Sequence, residues 1–161
     1  MSIKIDMTSP AVDRQISVLK EFPKLVDGRY RPVLKRDVTA LRDVIQPNIP
    51  RATGKAMETF GSKTTGKAFG LKGQVGWYDK GDPYYPNVLE YGAAAHEIVP
   101  KKKGGWLRFF SGGTPVFVHN ISHPRIRAFG FMAAGEKVMA PIIEADLATA
   151  NDQIIADLAA I

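Results

Sequence analysis

The glycine pairs in the middle of the chain constrain its fold more than any other feature. Three short extended runs, at residues 96–100, 106–110 and 115–121, are separated only by Lys103-Gly104-Gly105 and Ser111-Gly112-Gly113-Thr114. Breaks this short leave no room for a crossover connection, so consecutive runs are predicted to pair as hairpins. With another strand predicted near residues 71–78, the pattern indicates an antiparallel meander of about four strands.

Within the second of these runs, side chains alternate between two faces. Trp106, Arg108 and Phe110 share one parity, while Leu107 and Phe109 share the other. Successive side chains of a strand point to opposite sides, so each set is expected to face its own side of the sheet.

Two helices are predicted before the sheet. Ser9 followed by Pro10 is typical of a helix start, and this helix is expected to be interrupted around Phe22-Pro23. A second helix is predicted from about residue 27 to 46, where apolar residues recur every three or four positions. Residues 51–76 are rich in glycine, threonine and lysine, which favours an irregular connection.

Helical spacing returns over about residues 131–159, where Pro141 is expected to kink the helix or to mark a helix start. Helices, then strands, then a helix define the α+β class. The prediction is therefore one domain over residues 1–161: a small antiparallel sheet packed by two N-terminal helices and a C-terminal helix.

The composition is that of an ordinary globular protein. Of the 161 residues, 45% are hydrophobic and 24% are charged, which argues against wholesale disorder. There is no cysteine, so disulfides, iron–sulfur clusters, thiolate zinc sites and a cysteine nucleophile are excluded. The first residues lack a secretory pattern, and no run reaches the roughly 18 apolar residues of a membrane helix. A soluble protein made in a reducing cytoplasm is expected.

The net charge of +6 permits contact with phosphate or with an acidic partner. The basic residues are scattered, apart from Lys101-Lys102-Lys103, and a solvated surface explains most of them. A basic nucleic-acid-binding module is therefore an alternative function.

Two patterns suggest chemistry and are set aside. Residues 61–68 nearly match a phosphate-binding P-loop, but Ala68 stands where the motif needs a hydroxyl for magnesium. His119 and His123 have a helical metal-ligand spacing, yet they belong to an extended run, where that spacing does not bring two rings together. With His96 they are the only histidines, and they offer weak support for a small hydrolase. No enzyme activity, cofactor or metal is predicted.

Several elements occur in an order that is familiar. They are Pro50-Arg51-Ala52-Thr53-Gly54-Lys55, Asn87-Val88-Leu89-Glu90-Tyr91-Gly92, His96-Glu97-Ile98-Val99-Pro100-Lys101, Trp106-Leu107-Arg108-Phe109-Phe110, Val116-Phe117-Val118, His123-Pro124 and Phe131-Met132. In order and spacing they resemble the tail-completion, or minor tail component, family of siphophage neck proteins. The chain departs from that family's pattern at Ala93, at Arg125 and around residues 128–130.

The resemblance implies a role in assembly and a fold like that of tail terminators. Copies of the chain would form a ring, sixfold to match the tail, at the junction of tail tube and capsid. The implied partners are the tail-tube protein and the head-completion or connector proteins, with DNA passing through the lumen and no membrane. Tail completion, tail termination and head closure all remain open.

Eight residues are candidates for contact with a neighbouring subunit or partner. Lys101, Lys102 and Lys103 would form a charged hairpin tip, and the aromatic residues near them exceed what a small sheet needs for its core. Glu90 and Tyr91 are either a structural strand pair or part of the contact. The full set is Glu90, Tyr91, Lys101, Lys102, Lys103, Trp106, Phe109 and Phe110.

Overall fold

The structure is a computed structural model that describes residues 10–50, 55–78 and 84–160. Four α-helices and six strands lie in these ranges, so the fold is the mixed helix-and-sheet type that the sequence predicts. The chain divides into two compact units, one made of residues 1–79 and 132–161 and the other of residues 80–131. The prediction of one domain stays a prediction, because compact units of one chain need not fold independently.

The first described element of the first unit is one long helix, α1, at Pro10–Ile45. The expected break at Phe22-Pro23 is therefore wrong, since both Pro23 and Pro32 lie inside the helix. A proline removes one backbone hydrogen bond, but packing of an apolar face supplies most of the stability of a helix in a protein. Val26, Val38 and Ile45 are buried along α1, with at most 6% of each exposed.

A hairpin packs on α1. After the short helix α2, Lys55–Glu58, strand β1, Phe60–Thr65, pairs antiparallel with β2, Lys72–Trp77. The strand predicted near residues 71–78 is confirmed as β2. The prediction of an irregular connection over residues 51–76 is wrong for residues 60–65, which form β1. Gly73 lets α1 approach closely, because a Cβ atom there would lie 2.5 Å from Val38 Cγ1.

The C-terminal helix, α4, spans Phe131–Ala159. The predicted helix is confirmed, and Pro141 lies inside it rather than at a helix start. The bidentate salt bridge between Arg29 and Asp157 ties α4 to α1, with 2.8 Å between Arg29 Nε and Asp157 Oδ2.

The second unit contains helix α3, Tyr84–Tyr91, and the strands β3, His96–Ile98, β4, Leu107–Ser111, β5, Thr114–Val118, and β6, Ile121–His123. β4 and β5 form the predicted hairpin. β3 pairs with β6 instead of β4, so the single meander is wrong and the described strands form three two-stranded sheets. We call the four strands β3, β4, β5 and β6 together the ribbon. The β4–β5 hairpin forms one end of the ribbon, and the β3–β6 pair lies further along the same two antiparallel segments.

Among the described residues, no helix is both long enough and apolar enough to cross a membrane.

Candidate interaction surface

The ribbon presents aromatic side chains to solvent on one face. The register pairs Leu107 with Val118, and successive pairs alternate between the two faces. One face carries Leu107, Phe109, Val116 and Val118, which are half-buried. The other, which we call the aromatic face, carries exposed side chains: Trp106, Arg108, Phe110, Pro115, Phe117 and His119.

The exposure of the aromatic face is large. Trp106 is 60% exposed, Phe110 63% and Phe117 56%. Single exposed apolar residues are common on protein surfaces, but contiguous ones mark sites of contact. On this face Phe117 pairs with Arg108, Phe110 belongs to the next pair on the same face, and Trp106 lies two residues before Arg108. The three side chains therefore form one patch.

Arg108 lies at the centre of the aromatic face. Its Cζ atom is 5.1 Å from the ring centroid of Phe110 and 6.0 Å from that of Phe117. At these distances the guanidinium interacts with the ring faces, and it makes no salt bridge within the described ranges. The centre of the patch is therefore a cation framed by two aromatic rings, a surface suited to acidic and apolar partners together.

Trp106 and His119 form the end of the aromatic face nearest β3 and β6. Their ring centroids are 3.7 Å apart, and His119 Nδ1 is 3.1 Å from the carbonyl oxygen of Gly105. A carbonyl oxygen only accepts hydrogen bonds, so this contact assigns the proton to Nδ1. The contact holds the imidazole against the indole.

The lysine segment is not a hairpin tip. It lies between β3 and β4, opposite only Asn120 and its neighbours on the other strand, so it is an insertion in one side of the ribbon. Lys101, Lys102 and Lys103 are exposed, and the amide of Gly105 donates to the carbonyl of Lys102 at 2.9 Å. We call residues 99–105 the lysine loop.

The actual tip of the ribbon is Gly112-Gly113. Both residues have positive φ, +57° and +83°, as a two-residue type I′ turn requires. This turn fixes which residues of β4 face which residues of β5, and so it defines the aromatic face.

Glu90 and Tyr91 end a helix and do not form a strand, which corrects the strand reading. Glu90 is buried at 7% exposure, and Tyr91 is 78% exposed. Gly92, with φ +77°, ends α3 and donates from its amide to the carbonyl of Val88 at 2.8 Å. The amides of Phe129 and Gly130 donate to the carbonyls of Leu89 and Glu90. The amides of Gly92, Phe129 and Gly130 therefore satisfy the last carbonyl groups of α3. The stretch Glu90-Tyr91-Gly92 has the structural role of ending this helix.

The histidines divide into a pair and a single residue. His96 and His123 are directly opposite each other on β3 and β6, with stacked rings whose centroids are 5.2 Å apart. Each Nδ1 lies within hydrogen-bond distance of a backbone carbonyl: Ala94 for His96, and Pro124 for His123. His119 contacts Trp106 instead. The described residues include no cluster of three or more potential metal ligands.

The P-loop-like segment folds as a strand and a turn. Residues 61–65 belong to β1, and the amide of Ala68 donates to Asp27 Oδ1 at 2.8 Å. Arg31 binds the same carboxylate and donates to the carbonyl of Gly66. The hydrogen bond from Arg31 and that from Ala68 lower the pKa of Asp27 to about 2. The amide of Ala68, which a bound phosphate would need as a donor, is therefore already hydrogen-bonded to a carboxylate.

A second carboxylate lies between α1 and α4. Asp37 is buried at 2% exposure, and it shares Arg36 with Asp146. Burial raises the pKa of Asp37, partly offset by the hydrogen bond from Arg36. This group joins two helices of the first unit, and its contacts are structural.

The structure brings Trp106 and Phe110 together on the aromatic face but places Phe109 on the opposite face. Lys101, Lys102 and Lys103 lie beside the ribbon, and Tyr91 lies on α3. The site predicted from sequence omitted Arg108, Phe117 and His119. The two-residue glycine turn could have identified them, because it sets the parity on both strands.

The fold and the surface define a mixed helix-and-sheet protein that exposes an aromatic ribbon flanked by lysines. No family model, no curated protein and no solved structure matches the chain.

Proposed function

We propose that this protein is a structural component of the head–tail junction of a long-tailed bacteriophage. Copies of the chain form a ring, sixfold to match the tail, that completes or terminates the tail tube and joins it to the capsid connector. Its partners are further copies of itself, the tail-tube protein and the head-completion or connector proteins. DNA passes through the lumen of the ring, and the protein resides in the virion.

The aromatic face of the ribbon is the observation that carries this proposal. A two-stranded ribbon is marginally stable by itself in water, and this one leaves a row of aromatic side chains exposed. Exposed aromatic residues around an arginine are the composition of interface centres. A protein whose main exposed feature is such a face works through contact with other chains.

The order of the sequence elements supports the phage assignment. From residue 87 onward, the elements that resemble the tail-completion family coincide with the end of α3, the two strand pairs of the ribbon and the start of α4. The earlier element, at residues 50–55, lies mostly outside the described residues. The departures from the family pattern fall where local geometry changes: Ala93 pairs with Ile126, and Gly130 has φ +63° just before α4.

Complementation of a phage lacking this gene tests the proposal. We expect the wild-type protein to restore infectious particles to a lysate that holds separate heads and tails. Electron microscopy should then show a ring of density at the upper end of the tail tube. Tails that join heads equally well without the protein would refute the function.

A second function is favoured by one observation. The aromatic face combines rings that can stack on bases with Arg108 and the neighbouring lysine loop, which can contact phosphates. A nucleic-acid-binding module would show affinity for single-stranded DNA that falls steeply with salt. Fluorescence anisotropy with a labelled oligonucleotide measures this, and Phe129→Ala serves as a control because Phe129 lies outside the ribbon. No binding at low salt would eliminate this alternative.

A further inference from the structure

Helix α4 is apolar on two sides. Met139, Ala150 and Ile154 are buried, with at most 5% exposed. On other sides of the helix, Val138 is 55% exposed, Ile142 48% and Ile155 57%. A helix that is apolar all round is normally covered all round, so the second side indicates a missing contact.

Val138 and Ile142 begin a stripe that continues along the helix at spacings of three and four residues. We call this the outer stripe: Val138, Ile142, Ala145, Thr149 and Asp152. All five side chains are exposed. Side chains at this spacing lie in one row, so they present a continuous surface.

The acidic residues of α4 differ in whether they form salt bridges. Asp146 and Asp157 bind arginines of α1. Glu144 and Asp152 are exposed and make no salt bridge within the described ranges. Of these two, Asp152 belongs to the outer stripe, so the row combines apolar side chains with an unpaired negative charge.

The ribbon has the complementary chemistry. Its aromatic face is apolar around Arg108, and the lysine loop adds three exposed positive charges next to it. Between residues 84 and 131 the acidic residues are only Glu90, which is buried, and Glu97. One surface of the chain is thus basic and aromatic, and another is acidic and aliphatic.

We infer that the aromatic face of one copy binds the outer stripe of α4 on a second copy. The inference rests on the ring of the proposed function and names the surfaces that close it. Because the two surfaces differ, the contact is head-to-tail, and repetition of a head-to-tail contact builds a ring when the rotation closes. Trp106, Phe110 and Phe117 cover Val138 and Ile142, while Arg108 and the lysine loop approach Asp152.

Cysteine cross-linking between two different variants tests the contact directly. The chain has no cysteine, so Phe110→Cys and Ile142→Cys each introduce a single thiol. With a short bis-maleimide, we expect covalent dimers when the two variants are mixed and none from either variant alone. Mixing also excludes a bond within one chain. Phe110→Cys mixed with Leu19→Cys is the matched control, because Leu19 is exposed on α1.

Three results of this experiment would overturn the inference. Dimers of Phe110→Cys alone would show a symmetric contact between ribbons. Equal yields from the Leu19→Cys control would show random collision. The absence of dimers at concentrations where the wild-type protein self-associates would place the interface elsewhere.

A charge exchange gives an independent measurement. Lys101→Glu with Lys102→Glu is expected to weaken self-association about tenfold or more, and so is Asp152→Lys. A mixture of the two reversed proteins should associate again through the restored pairs. Analytical ultracentrifugation measures all three cases, and failure of the mixture to recover would contradict the inference.

Failure of this interface can be separated from failure of the proposed function. If the wild-type protein forms rings and joins tails while cross-linking and charge exchange have no effect, the function stands and the interface falls. If copies associate through these two surfaces but never join tails, the interface stands and the function falls. Binding of the aromatic face to DNA or to the tail-tube protein alone, with monomers in solution, would refute the inference.

Discussion

Two glycines in helices differ in what surrounds them. Gly28 lies in α1, and a Cβ atom there would meet nothing within 4 Å. Gly135 lies in α4, where an added Cβ would collide with Cγ1 of Ile45, a side chain that is 1% exposed. Alanine is favoured over glycine in a helix by about 1 kcal/mol, but overpacking a core costs about 1–3 kcal/mol.

We therefore expect opposite effects of the same substitution. Gly28→Ala should raise the free energy of unfolding by about 0.5–1 kcal/mol. Gly135→Ala should lower it by up to about 2 kcal/mol, since the collision outweighs the gain in helix propensity. Chemical denaturation of the two variants measures both values. Equal stabilisation by both substitutions would show that α1 and α4 do not pack closely at Ile45.

Asp27 gives a pH dependence whose sign follows from its contacts. Hydrogen bonds from Arg31 and Ala68 lower its pKa from 3.8 to about 2 in the folded state. A lowered pKa contributes stability above the unfolded value, and that stability is lost as the pH falls from about 4 to about 2. Asp27→Asn should therefore unfold more easily at neutral pH and show a shallower loss of stability across this window.

Denaturant midpoints measured from pH 7 to pH 2 test this expectation. Asp13→Asn is the control, because Asp13 is exposed on the same helix and makes no salt bridge among the residues that the structure describes. If Asp27→Asn and wild type lose stability in parallel below pH 4, then Asp27 does not hold the β1–β2 turn.

At the scale of elements, the turn at the ribbon tip determines the aromatic face. Gly112 and Gly113 both have positive φ, which costs about 1–2 kcal/mol for a residue with a side chain. A one-residue slip of register would move every side chain to the other face. Gly112→Ala with Gly113→Ala should therefore increase hydrogen exchange at the amides of β4 and β5.

Asparagine provides the matched control for the turn. It tolerates positive φ, and Asn-Gly is a favoured type I′ pair, so Gly112→Asn should retain the protection of the ribbon. Hydrogen exchange followed by mass spectrometry compares the two variants. Unchanged exchange in the alanine variant would show that cross-strand contacts alone fix the register.

Most of α1, helix α4 and the β4–β5 hairpin could be predicted because their signals are local, whereas α2 and α3 were missed. The glycine turn and the alternation around Trp106 lie within a few residues of the structure that they specify. α1 was predicted as two helices because Pro23 is a local breaker, whereas the packing of Val26 and Val38 that overrides it involves distant residues.

The pairing of β3 with β6 could not be predicted from spacing. His96 and His123 lie opposite each other, although the lysine loop and the whole of β4–β5 separate them along the chain. Strand β1 was also missed, because Phe60 and the five residues after it show no apolar alternation. For the candidate site, the sequence indicated the aromatic residues, but their division between two faces needed the register.

At the scale of the whole molecule, charge is distributed unevenly along the chain. The net charge is +6, yet α4 carries Glu136, Glu144, Asp146, Asp152 and Asp157 against Lys137 alone. The ribbon and the lysine loop are basic. A uniformly basic protein would repel its own copies. This distribution instead lets oppositely charged surfaces of two copies attract each other.

This distribution leads to an expectation about rates. Attraction between separated charges steers the encounter of two copies, and salt screens it: the screening length falls from about 30 Å at 10 mM to about 8 Å at 150 mM. Self-association should therefore slow markedly over that range, while dissociation changes little because aromatic burial holds the complex. Stopped-flow light scattering measures both rates.

A variant with Lys101→Gln, Lys102→Gln and Lys103→Gln should associate more slowly at low salt, and its association rate should depend less on salt. The reason is that it lacks the charges that steer the encounter. An identical salt dependence in this variant and in wild type would show that the lysine loop takes no part in the encounter.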